Sequence, residues 1–152
     1  MKYWLMKSEP DVYSIDNLHK DKTTPWEGVR NYQARNFMMN DMQLGDLVLF
    51  YHSNAEPPGV AGIAKVSKVG VADKTQFDKK SEYYDEKSKK EKPTWICVEV
   101  EFVAKFKNLV SLADLRANEK LADMVVLQKG SRLSVQPCDK KHFNVVKKMG
   151  GL

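Results

Sequence analysis

The spacing of apolar and polar positions changes several times along the chain, between the period of two of a half-buried strand and the period of three to four of an amphipathic helix. Lys2 to Met6, rich in aromatic and long apolar side chains, predicts a first strand that ends at the turn residues Ser8-Glu9-Pro10. A short helix should follow, with Ser14 as N-cap and Ile15, Leu18 and His19 on one side. From Asn31 the period is helical again. Ala34, Phe37 and Met38 form a core-facing stripe, and Tyr32, Arg35 and Asn36 share the opposite face. After Gly45-Asp46, the run from Leu47 to Ser53 is apolar at both parities and predicts a strand covered on both sides. Glu56 to Gly59 reads as a loop and Val60 to Val69 as a further strand.

Residues 71–92 hold seven lysines and six acidic residues, and predict a surface excursion anchored by Phe77, Tyr83 and Tyr84. Trp95 then opens the clearest strand. Ile96, Val98, Val100 and Phe102 should face the core, and Cys97, Glu99 and Glu101 should face water, with Trp95 on the outward parity at the entrance. Ser111 is placed to cap a helix to Ala117, and Leu121 to Val125 suggests another. Gly130 to Val135 alternates as a last strand ended by Pro137, and His142, Phe143, Val146 and Met149 predict a closing helix. Strands mixed with helices, and little regular βαβ alternation, predict an α+β fold. We expect a small mixed β-barrel of five to six strands with peripheral helices, one domain over residues 1–152.

Composition changes this picture little, since 42% hydrophobic and 30% charged residues are ordinary for a soluble domain. No apolar run approaches bilayer length, and the opening MKYWLMKSEP is too short and polar for a signal peptide. The expectation is therefore no membrane partner, a monomer, and a cytoplasmic location, nuclear in a eukaryote. Cys97 and Cys138 match no paired-cysteine motif and read as reduced thiols. The net charge of +5 matters mainly through its placement. Residues 1–70 are neutral, whereas Asp139 onward carries four lysines against one aspartate, an arrangement open to a nucleic-acid contact or to a solvated helix end.

The three histidines, at 19, 52 and 142, have no helical-spacing partners among themselves, so no metal site and no cofactor are expected. His52 and Ser53 are adjacent on a strand and point to opposite faces, which disfavours a nucleophilic pair, and no catalytic residue is assigned. The positive signal is aromatic rings with hydrogen-bonding groups at element edges. Trp26, Tyr32, Tyr51 and Trp95 supply rings, and Arg30, Asn31, Arg35, His52, Ser53, Arg132 and Ser134 supply donors and acceptors. Each of these alone fits an ordinary structural role, and their convergence on one cleft would mark a binding site.

Several stretches carry a further signal: KSEP at 7–10, WEGVRNYQARNF at 26–37, GDLVLFYHSN at 45–54, GVAGI at 59–63, TQFD at 75–78, PTWICVEVEF at 93–102 and GSRLSVQP at 130–137. In this order they resemble the EVE domain family. The resemblance implies a PUA-like barrel related to domains that read RNA or modified bases, with no catalytic activity. It places a pocket at Trp26, Arg30, Asn31, Tyr32, His52, Ser53, Trp95, Arg132 and Ser134. At Phe37-Met38-Met39 the chain departs from the Asn-Leu-Arg of many members, which removes a basic residue from the helix. The leading expectation is a non-enzymatic module that takes a base, modified by expectation, from RNA or DNA into an aromatic-lined pocket. The alternatives are an enzyme acting on nucleotides or nucleic acid, and a small-molecule or protein adaptor using the same pocket.

Overall fold

Two long strands dominate the architecture, β4 (Gly59–Ala72) and β5 (Ile96–Ser111), paired antiparallel over nearly their whole length. The computed structural model describes residues 1–129 and 132–152. Beside this pair lie β1 (Tyr3–Ser8), β2 (Thr23–Pro25), β3 (Leu47–His52) and β6 (Val135–Cys138), giving one six-stranded sheet in the order β2-β5-β4-β3-β1-β6. β1 and β3 run parallel and every other neighbouring pair is antiparallel. The expected barrel is corrected to an open mixed sheet. β4 and β5 bend through four register shifts, which curl the sheet, but β2 and β6 lie at its two ends and do not pair with each other.

Both faces of the sheet are buried, which is why β3 is apolar at both parities. Val48 and Phe50 belong to a core with Trp4, Met6, Trp26 and Val98, whereas Leu49 and Tyr51 belong to a second core with Leu5, Val60, Phe106 and Phe143. Helix α1 (Ile15–Asp21) covers the first core behind a capping box at Ser14, and α2 (Tyr32–Asn36) starts at Asn31, whose side chain accepts from the Ala34 N–H. A wider π turn, Phe37–Asp41, continues α2 and buries Met38. On the second core lie α3 (Leu112–Ala117), capped by Ser111, and α4 (Lys140–Met149), which buries His142, Phe143 and Val146. Among the described residues no helix is long and apolar enough to cross a membrane.

Four local expectations change. Cys97 is buried with Val98 in the first core rather than facing water, because the register shifts around Lys68 and Val71 interrupt simple alternation where Val71 pairs with Cys97. The same strand runs on past Phe102 to Ser111, and β2 carried no pattern of its own. Leu121 to Val125 forms two short 3-10 turns, Glu119–Leu121 and Val125–Leu127. The last strand is Val135–Cys138 and includes Pro137, tolerated there because β6 is an edge; Gly130 and Ser131 lie outside the described residues. Both cysteines are free and buried in different cores, and burial pushes each thiol up to about 12.

Candidate functional site

The segment from Pro25 to Asn31 leaves the sheet edge at β2 and builds one wall of a cleft. The Trp26 N–H donates to the Val98 carbonyl at 2.8 Å, and its indole meets Phe50 edge-on, with ring centroids 5.5 Å apart. Trp26 is thus 7% exposed, belongs to the first core and is also among the residues that line the cleft. Gly28 follows at φ +88°, where a side chain is strained, and a Cβ there would stand 2.9 Å from the Tyr83 ring. The glycine lets Tyr83 lie close over the turn.

Arg30 uses its whole donor set on the protein. A guanidinium has five N–H groups. Nε and Nη2 both reach the Tyr83 carbonyl, at 3.1 and 2.7 Å, Nη2 also reaches Thr75 Oγ1 at 3.0 Å, and Nη1 reaches the Val29 carbonyl at 2.8 Å and Asp73 Oδ2 at 2.9 Å. Arg30 therefore shapes the cleft wall and offers no spare donor to a ligand, a correction to the role its sequence position suggested.

The residue that organises this wall is Asp73, which sequence reasoning missed. It is 2% exposed and accepts from the Gly28 N–H at 2.8 Å, from Arg30, and from both the N–H and hydroxyl of Thr75. Burial alone would raise its pKa, but the hydrogen bonds from Arg30, Thr75 and Gly28 outweigh it and hold the carboxyl below its ordinary value. Three residues on, buried Gln76 donates to the Asp73 and Trp95 carbonyls, at 2.7 and 2.9 Å, and accepts from the Trp95 N–H and the Ser88 hydroxyl. The excursion at 71–92 is thereby tied to the start of β5. A lone aspartate and glutamine inside a charged run gave no periodic signal that could have found them.

The cleft has a volume of about 850 Å³. Of the eleven residues singled out from the sequence, it brings together Trp26, Arg30, Ser53, Arg132 and Ser134, joined by Ser8, Tyr13, Glu27 and Tyr83. The other six lie elsewhere. Asn31 is the cap of α2, and Tyr51 is buried in the second core. Trp95 is 6% exposed, its indole N–H donates to Asp85 Oδ2 at 2.8 Å, and Tyr32, Arg30 and Arg35 pack against its ring. Arg35 is fixed by Asn36 Oδ1 and the Thr94 carbonyl.

His52 accepts from the Ile15 N–H at 3.1 Å through Nε2, so it satisfies the start of α1 and stays off the cleft. Burial lowers its pKa, and the neighbouring Asp16 only partly opposes this. The folded state therefore favours neutral His52, and its contribution is present above the unfolded-chain value of about 6.5 and is lost as pH falls through the lowered folded value. Between pH 7 and pH 5 the melting temperature of the parent should fall more than that of His52→Gln, which keeps an acceptor without titrating; equal falls would remove this role.

The structure also gathers ligand atoms of Asp123, Asp139 and His142 within 4.8 Å, a cluster invisible to histidine spacing. His142 is buried, with Nε2 2.8 Å from Asp123 Oδ1 and Nδ1 3.9 Å from Asp139 Oδ2, so carboxylates face both ring nitrogens and pin the start of α4. The His142 hydrogen bond lowers the Asp123 pKa.

The chain is 40% identical to human thymocyte nuclear protein 1 over 95% of its length and 72% of that protein. A structure of a hypothetical protein from Leishmania major matches with a TM-score of 0.93 at 47% identity, over 99% of this chain and 94% of that one. The crystal structure of human THYN1 protein in complex with 5-methylcytosine-containing DNA matches with a TM-score of 0.91 at 39% identity, over 100% of this chain and 99% of that one. The EVE domain profile matches residues 2–149, and the chain belongs to the EVE domain family.

Proposed function

We propose that this protein is a non-enzymatic nucleic-acid-binding module that takes a single base, modified in its preferred ligand, into the cleft lined by Trp26. The observation that carries the reading is the cleft itself, whose volume of about 850 Å³ lies in the range of pre-formed ligand sites and which sets an apolar aromatic ring among a few hydrogen-bonding side chains. Ser53 and Ser134 can donate or accept, Ser8 gives its proton to the Tyr13 carbonyl and can still accept, and Glu27 uses one carboxylate oxygen on the Lys74 N–H, leaving the other to accept from an exocyclic amino group. The relative bound to 5-methylcytosine-containing DNA supports nucleic acid as the partner, with RNA kept as a ligand to be tested. The name of the human relative supports a nuclear location wherever the source cell has a nucleus.

An enzymatic reading finds less support in the cleft. Tyr13 holds its proton, pushed up to about 12 by burial and by its hydrogen bond to Asp21. Lys7 also lines the cleft, where burial lowers its pKa, and its ammonium is drawn over the Tyr51 ring, 5.8 Å from the centroid. The test is a titration of plain and 5-methylcytosine oligonucleotides, single and double stranded, DNA and RNA, at two salt concentrations. A buried methyl contributes about 0.8 kcal/mol, so the modified strand should bind roughly fourfold tighter. Affinity should fall with salt as phosphate contacts are screened. Binding that ignores both base and salt would replace this reading with a protein or small-molecule adaptor.

A further inference from the structure

We propose that the exposed ring of Tyr32 is a stacking platform for a second base, a neighbour on the same strand of the base held in the cleft, so that the protein grips a short run of nucleotides. The inference rests on the base-binding reading of the cleft. Tyr32 is 59% exposed, yet its ring is fixed: it stacks on Trp95 with centroids 4.9 Å apart and planes 22° apart. Trp95 is in turn held by Asp85 and by Gln76, so the platform has a rigid footing. A large aromatic ring that is both exposed and held flat by a buried partner is arranged to receive another flat apolar surface.

The cation beside it fits the same ligand. The Arg35 guanidinium carbon is 4.9 Å from the Tyr32 centroid and 5.8 Å from the Trp95 centroid. A group beyond the outer face of Tyr32 would stand nearly the sum of two stacking intervals from Trp95, so Arg35 lies beside the pair and leaves that outer face open. Its Nε and one N–H on each terminal nitrogen are used by Asn36 and Thr94, which leaves one N–H on each terminal nitrogen for a phosphate. Platform and cleft share a wall. Arg30 lines the cleft, and its guanidinium lies 4.9 Å from the same Trp95 ring that carries Tyr32. Two stacking intervals therefore connect the cleft wall to the platform, within reach of a neighbouring nucleotide.

A double-mutant cycle tests this. One probe is a five-nucleotide single-stranded DNA with 5-methylcytosine at its centre, and a second replaces the flanking nucleotides with abasic tetrahydrofuran residues. The parent should bind the first probe about 5- to 150-fold more tightly than the second. Tyr32→Leu, which still covers Trp95, should lose most of that difference, and Tyr32→Phe should keep it. Equal binding of the two probes by the parent, or an undiminished difference in Tyr32→Leu, overturns the platform. A third probe, abasic at the centre only, separates the underlying reading: if the parent binds it as tightly as the first, the cleft does not hold a base, and the platform falls with it.

Discussion

Asp73→Ala should destabilise the fold by about 3–5 kcal/mol, the cost of removing one partner from a buried charge pair. The substitution deletes the acceptor for Gly28, Arg30 and Thr75 together. It also leaves the Arg30 guanidinium partly buried without its carboxylate, as its side chain is 22% exposed. Asp73→Asn keeps an acceptor and should cost less. Because the carboxyl is held below its ordinary value, its contribution is complete above the unfolded aspartate pKa of about 3.9 and is lost as pH falls through the lower folded value. Urea unfolding at pH 7 and at acid pH measures both effects, and an alanine variant as stable as the parent at pH 7 would show that the cleft wall does not depend on Asp73.

Trp26→Ala should cost a similar amount, about 3–5 kcal/mol, since a large buried ring is lost from the core and from the cleft lining. Its indole packs on Phe50, and its backbone extends the β2–β5 pairing, so the damage spreads to the sheet edge. Binding is therefore better read from Trp26→Phe, which keeps an apolar ring. That variant should fold, lose preference among bases and retain the parent's salt dependence, because phosphate contacts are untouched. Binding of every oligonucleotide at the parent's affinity would take the indole out of the base site, while leaving its place in the core intact.

The parts of this fold that sequence shows are those fixed by neighbours in the chain. Ser14 and Ser111 cap the helices they were expected to cap, and β3 is buried on both faces as its unbroken apolar run requires. What sequence hides depends on partners far along the chain. Arg30 looked like a free fork of donors because its acceptors, Asp73, Thr75 and Tyr83, stand more than 40 positions away. Trp95 looked half exposed at a strand entrance, but Asp85 and Tyr32 close over it. The barrel expectation failed for the same kind of reason: β4 and β5 bend as barrel strands do, but closure depends on whether the end strands meet, which no local pattern encodes.

An open sheet must also deal with its two free margins, where unpaired backbone groups invite a foreign strand to add on. Here both end strands are brief, β2 with three residues and β6 with four, and each contains an exposed proline, Pro25 and Pro137. A proline presents no N–H to an incoming chain and interrupts any ladder growing outward from it. Each end strand therefore offers an incoming chain only a short, interrupted ladder, which guards against aggregation at these two ends of the sheet.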